Sequence, residues 1–198
     1  MNQSSAFHAN RQQADRALTQ AREVPLGYAD LSQDTPLHTC VGASVAICMI
    51  DQRTSWCALR QVMMPPSARG HRQDAMLKAD AALEEIFAQL CAVAEIDPGD
   101  PGHKRIEAKI FGGAEFKSAG QSYSDGAQSV SFVRAWLNTR HIPIAAESLL
   151  GIRRRQIVVV PRERIIYCRT HPIDEDFLSE ERSKLSAVGE LANKIELF

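Results

Sequence analysis

Apolar residues in this chain fall into short strand-like runs set around two helical periods. Every position from 43 to 50 except Ser44 is apolar, with Val45, Ile47 and Ile50 in a run bounded by Gly42 and Asp51. Such a run predicts a buried strand. Residues 51–55 predict a turn, and 56–64 a second strand pairing with the first as a hairpin and stopped by Pro65-Pro66. Over 73–94, Met76, Ala79, Leu83, Ile86, Phe87 and Leu90 recur at the 3.6-residue period, which predicts a long amphipathic helix. The sequence D-P-G-D-P-G at 97–102 predicts a loop, and 105–111 a strand that runs straight into Gly112-Gly113. Residues 117–126 are polar and predict a loop. Residues 127–138 predict a second helix with Val130, Val133 and Leu137 on one face. Three apolar-rich strands follow at 142–146, 156–160 and 164–169, the last two joined by a turn at Pro161-Arg162.

The two ends differ from this middle. Residues 1–34 are polar and read as a flexible arm, or as a weak helix over 11–22. Residues 173–198 predict a C-terminal amphipathic helix with Leu185, Val188, Leu191 and Ile195 on one stripe. The folded domain is expected over 35–172. Strands flanking two separated helices predict an α+β layered domain with mixed strands, rather than strict βαβ alternation.

Composition narrows the function classes. The chain has 198 residues and a net charge of −1, which makes no electrostatic case for nucleic acid or an anionic membrane. The run Arg153-Arg154-Arg155 is too short to change that. No apolar stretch approaches the roughly 20 residues of a membrane helix, and the N-terminus lacks an apolar signal region, so no membrane insertion and a cytoplasmic location are expected. Five cysteines (40, 48, 57, 91 and 168) form no C-x-x-C pair, which argues against a disulfide framework or zinc site. Cys48, Cys91 and Cys168 sit in apolar surroundings and are expected to be buried. His71 and His103 lie in polar loop segments, and His141 precedes a strand with no partner visible in sequence. Nothing calls for a metal or organic cofactor.

The chemistry gathers around the double glycine. A strand that meets two glycines turns sharply with no side-chain bulk, so another segment can approach its backbone. Upstream stand Thr39-Cys40-Val41-Gly42-Ala43-Ser44-Val45-Ala46-Ile47-Cys48 and Leu59-Arg60-Gln61-Val62-Met63-Met64-Pro65. Together with A-K-I-F-G-G-A at 108–114, these segments resemble the CheD family of chemoreceptor glutamine deamidases. The first aligns without a gap with the family's T-L-L-G-S-C-V-A-V-C, and the second stands in place of A-H-x-x-L-P. The family's A-K-x-F-G-G-A is present in full. Its I-G-x-x-N-V helix start is half kept at 125–130, and its D-x-G-G-x-x-x-R is altered to Ser148-Leu149-Leu150-Gly151 followed by Arg155. The resemblance spans roughly residues 36–170. It implies a layered α/β/β sandwich with two main helices, and a groove for receptor glutamines near Gly112, Gly113 and Ala114.

The resemblance also implies a mechanism. A thiolate, its pKa lowered by a histidine, attacks the glutamine amide, ammonia leaves, and water cleaves the thioester, with a threonine in support. Here the cysteine position is Ser44, the histidine position is Gln61, and Thr39 supplies the threonine. Both members of the dyad are replaced together, which predicts a receptor- or partner-binding protein with little or no activity. The implied partners are methyl-accepting chemoreceptors or a chemotaxis phosphatase with a look-alike segment. A gapped alignment instead makes Cys40 a shifted nucleophile and keeps a deamidase. A serine hydrolase built on Ser44 with an unidentified base is a third alternative.

Overall fold

In the computed structural model the described residues are 3–63, 72–97, 105–115, 117–118, 121–122, 126–177, 179–180 and 183. The elements in chain order are α1 (Gln3–Gln20), β1 (Arg22–Glu23), β2 (Ala29–Ser32), β3 (Leu37–Val41), β4 (Val45–Asp51), β5 (Cys57–Val62) and α2 (Arg72–Val93). They continue with β6 (Ile106–Gly112), β7 (Lys117–Ser118), β8 (Gln121–Ser122), α3 (Gly126–Thr139), β9 (Ile144–Leu149), β10 (Arg153–Val160) and β11 (Ile165–Pro172). The strand stop at Pro65-Pro66, the loop at 98–102 and most of the C-terminal helix lie outside the described residues.

Two sheets are stacked. One has the order β1-β3-β10-β11, the other β2-β5-β4-β6-β9. Most neighbours are antiparallel, but β1 runs parallel to β3 and β6 parallel to β9, so the strands are mixed as expected. The hairpin of β4 and β5 pairs Val45 with Val62 through Ile50 with Cys57.

β4 explains the layering. All seven of its residues are buried, because its two faces serve two cores. Val45, Ile47 and Met49 face α2 and α3, where they meet Leu83, Ile86, Phe87, Leu90, Val133, Trp136 and Leu137. Ala46, Cys48 and Ile50 face the other sheet and meet Leu37, Val41, Ile157 and Val159. Strand side chains alternate between faces, so a continuous apolar run is what a doubly covered strand requires. The result is the expected α/β/β sandwich.

Several local expectations change. Met76, placed on the buried stripe of α2, is exposed near its N-terminal end. Cys168 is exposed, while Cys48, Cys57 and Cys91 are buried. The strand expected at 142–146 starts at Ile144 and runs to Leu149, because Ile142 is buried beside α3 and Pro143 turns its carbonyl toward the Ala108 amide at 2.9 Å. Residues 1–34 are more than an arm. β1 and β2 join opposite sheets, and α1 docks on the outer face of the smaller sheet through Arg169 to Asp15 (2.6 Å) and Tyr167 to Gln13 (3.2 Å). The weak helix offered over 11–22 is thus the longer α1, and it packs on the sheet.

Asp51 fastens the β4–β5 turn. Its side chain is fully buried, accepts hydrogen bonds from the Thr54 amide (2.9 Å), the Thr54 hydroxyl and the Arg53 amide (3.4 Å), and pairs with Arg105 at 2.7 Å. Burial alone would raise its pKa. The Thr54 bonds, the Arg53 amide and the Arg105 charge outweigh burial and hold it below the ordinary carboxylate value. A depressed native pKa contributes stability above the unfolded value, and that contribution fades as pH falls through the native one. Asp51→Asn should therefore destabilise the fold by about 3 kcal/mol near neutral pH. In urea titrations the gap between wild type and variant should narrow as pH drops below about 4; a gap that widens would refute the assignment.

Candidate active site

The site lies where the chain crosses from one sheet to the other. β3 belongs to the smaller sheet and β4 to the larger, and residues 42–44 make the crossing. The turn after β6 holds it: the Gly113 amide donates to the Ser44 carbonyl at 2.9 Å, and the Ala114 amide to the Gly42 carbonyl at 2.7 Å. Gly112 has φ +114°, and a Cβ there would lie 2.1 Å from the Ser44 carbonyl oxygen. Gly113 has φ +67°, and its Cβ would meet Val130 at the start of α3 at 2.5 Å. Only glycine permits both approaches. Gly112, Gly113 and Ala114 are buried behind Ser44 and hold its backbone in place.

Three predicted site residues meet in one buried network. Thr39, Ser44 and Gln61 are at most 5% exposed. The Ser44 hydroxyl donates to Gln61 Oε1 at 3.2 Å. Gln61 Nε2 donates to Thr39 Oγ1 and to the Val24 carbonyl, the latter at 3.0 Å, and Thr39 Oγ1 donates to the same carbonyl at 2.7 Å. A carbonyl can only accept, so the Val24 oxygen fixes which end of the Gln61 amide faces it and turns Oε1 toward Ser44.

Cys40 lies on the opposite face of β3 from Thr39. Leu37, Thr39 and Val41 point inward from β3, and the intervening Cys40 points out. It does line a cleft of about 160 Å³ together with Gln61, Glu23, Leu26, Arg154, Phe177 and Glu180. The cleft thus reaches Gln61 on one side and Cys40 on the other, and no imidazole is among these lining residues.

A second buried group supports the crossing. Arg155 is 6% exposed and donates to Ser148 Oγ (3.0 Å) and to the carbonyls of Leu150 (2.6 Å), Arg153 (3.1 Å) and Gly112 (3.5 Å). Burial pulls its pKa below the ordinary arginine value. It ties the glycine turn to the β9–β10 hairpin. Leu150 holds φ +61°, a left-handed conformation costly for a branched side chain, at the place where the resembled motif has glycine.

Sequence reasoning missed the Val24 carbonyl, Glu23, Leu26 and Phe177, and took Arg154 only as part of a short basic run. The only hint at the first was the pair Val24 and Leu26 flanking Pro25 in an otherwise polar stretch.

Comparison with known proteins identifies the family of the chain. A family model described as "CheD chemotactic sensory transduction" matches residues 63–170, a span that begins after Gln61. The chain is 27% identical over 187 residues to "Probable chemoreceptor glutamine deamidase CheD 2" of Dechloromonas aromatica, covering 90% of this chain and 93% of that protein. It is 28% identical over 163 residues to a probable chemoreceptor glutamine deamidase CheD of Bordetella petrii, covering 81% and 71%. It is 30% identical over 141 residues to one of Xanthomonas campestris, covering 71% and 68%.

Gly112→Ala should lower stability by about 3–5 kcal/mol, combining a forbidden φ with a backbone overlap at Ser44. Thermal or urea unfolding measures this; a loss under 1 kcal/mol would show that the turn does not hold the crossing.

Proposed function

The chain belongs to the CheD family, and from that membership we propose that it is a chemotaxis protein that docks on methyl-accepting chemoreceptors without hydrolysing their glutamines. A phosphatase carrying a look-alike segment is the alternative partner. The observation that supports this reading is the Thr39–Gln61–Ser44 network.

Amide hydrolysis needs a nucleophile and a group that takes its proton. Ser44 stands at the nucleophile position, and its proton points at a carboxamide oxygen. That oxygen is not basic near neutral pH, and the serine hydroxyl has a far higher pKa than a thiol. Ser44 therefore stays a neutral alcohol. Nucleophile and base act as one unit, and their loss in a serine protease triad costs roughly a millionfold. The replacement is self-consistent as structure, since every hydrogen bond in the network joins neutral groups. Binding and chemistry use different groups, so recognition survives.

One observation favours a second reading. Cys40 lines the same cleft as Gln61, which places a thiol beside the family site. Catalysis from there needs a base to make the thiolate, and Glu23 and Glu180 in the lining oppose a second negative charge.

Ammonia release and binding on a chemoreceptor cytoplasmic fragment separate these readings. Wild type and Cys40→Ala should both bind and release no ammonia. Ser44→Cys combined with Gln61→His should raise ammonia release at least about a hundredfold above wild type. Release by wild type that Cys40→Ala abolishes would establish the second reading. Release that persists in Cys40→Ala would overturn both.

A further inference from the structure

The β9–β10 turn sets its backbone against its side chains. Leu150 holds φ +61°, and Gly151 follows at φ +76° with open space where a Cβ would stand. A left-handed conformation is unfavourable for any residue with a bulky side chain. Backbone bonds impose it here. The Leu150 amide donates to the Gly112 carbonyl at 2.8 Å, and the Glu115 amide donates to the Gly151 carbonyl at 2.7 Å. The Arg155 guanidinium donates to the Leu150 carbonyl at 2.6 Å. None of these bonds uses the Leu150 side chain, and glycine would make them without the strain.

Burial does not offset that cost. Leu150 is 38% exposed and Ile152 is 76% exposed, the most exposed of the large hydrophobic residues described. Neither belongs to a core cluster. Arg153 beside them is exposed and has no ion pair among the described residues, whereas Arg154 pairs with Asp174. Leu149 pairs with Gly112, and Gly112 with Val45, so the turn and Ser44 lie at the same end of the sandwich.

We propose that this turn is a partner-contact tip, in which Leu150 and Ile152 pack on an apolar patch flanked by carboxylates, on the partner that docks at the candidate site. Three observations carry this. First, the strained Leu150 exposes its side chain, and strain of this kind gathers where function needs a fixed shape. Second, three hydrogen bonds hold the turn in place, so a contact made by it costs little ordering. Third, the Arg153 guanidinium beside the two apolar side chains favours a partner surface that carries carboxylates. The proposal deepens the docking reading and takes its partner from it.

The test uses full-length Ile152→Ser, Leu150→Gly and Arg153→Gln. Ile165→Ser is the control, since Ile165 is an exposed apolar residue at the opposite end of β11, about 24 Å along the strands from the turn. Calorimetry reads both the affinity for a chemoreceptor cytoplasmic fragment and the melting temperature. Ile152→Ser should weaken binding about tenfold and Leu150→Gly about fivefold, while Ile165→Ser leaves it unchanged. Arg153→Gln should weaken binding at low salt and have less effect at high salt. Leu150→Gly should also melt about 2–4 °C higher, because it removes the left-handed strain. A turn kept only for the fold would not gain stability while losing affinity. Unchanged binding by Ile152→Ser and Leu150→Gly would overturn the tip and leave the docking reading standing. A lower melting temperature for Leu150→Gly would show that Leu150 serves the fold, and would also overturn it. If wild type does not bind the fragment, the docking reading fails and the tip fails with it. A wild-type dimer that Ile152→Ser dissociates would give the surface to a second copy of the chain, against the proposal.

Discussion

The crossing of the chain between sheets at residues 42–44 is the constraint on which the site depends. Two strands that follow each other in sequence lie in different sheets, so the link between them must pass through the interior. A buried link carries backbone groups that need partners. The glycine turn after β6 supplies two of them, from the amides of Gly113 and Ala114. Arg155 then binds the carbonyl on the other side of that turn. Ser44 is therefore held by backbone geometry, and the identity of its side chain is free to change without disturbing the crossing.

If Ser44 and Gln61 stand at the family's cysteine and histidine positions, as proposed, that freedom lets the pair differ while the fold persists. A thiolate and an imidazolium in this interior would both be charged and would need each other. Serine and glutamine are neutral, and each polar atom named in the network has a partner. A neutral, satisfied network costs less desolvation than a buried ion pair. The Ser44–Gln61 pair accordingly satisfies its own hydrogen bond and calls for no buried charge.

Much of the fold was legible because burial writes period into sequence. β4 shows as an unbroken apolar run since both faces are covered, and α2 and α3 show as stripes since one face is. Elements with mixed exposure were not legible. β3 alternates buried and exposed positions over only five residues, and β9 is an exposed edge whose boundary follows Pro143 rather than its apolar content. β1 is a short polar strand held by pairing alone, and β2 adds only Ala29 and Leu31, partly buried against the larger core, to its pairing with β5. Thr39, Ser44 and Gln61 were found by resemblance to a family motif, and no hydrophobic pattern marks them. The Val24 carbonyl and the acceptors of Arg155 are mostly backbone, which leaves no trace in residue type.

The two chain ends, each read as an appendage, converge on the same place for different physical reasons. Residues 22–26 arrive through backbone pairing: the Val24 amide donates to the His38 carbonyl at 2.8 Å, and its own carbonyl receives Thr39 and Gln61. Those bonds are buried and have no solvent competitor, so this end is part of the site's frame. Residues 174–177 arrive through side chains, the ion pair of Asp174 with Arg154 and the contact of the Arg154 guanidinium with the buried Phe177 ring. Bonds of the first kind are part of the strand ladder and its buried hydrogen bonds, so they hold the site's frame for as long as the two sheets are paired. Contacts of the second kind come from side chains and shape only the lining of the cleft beside Gln61.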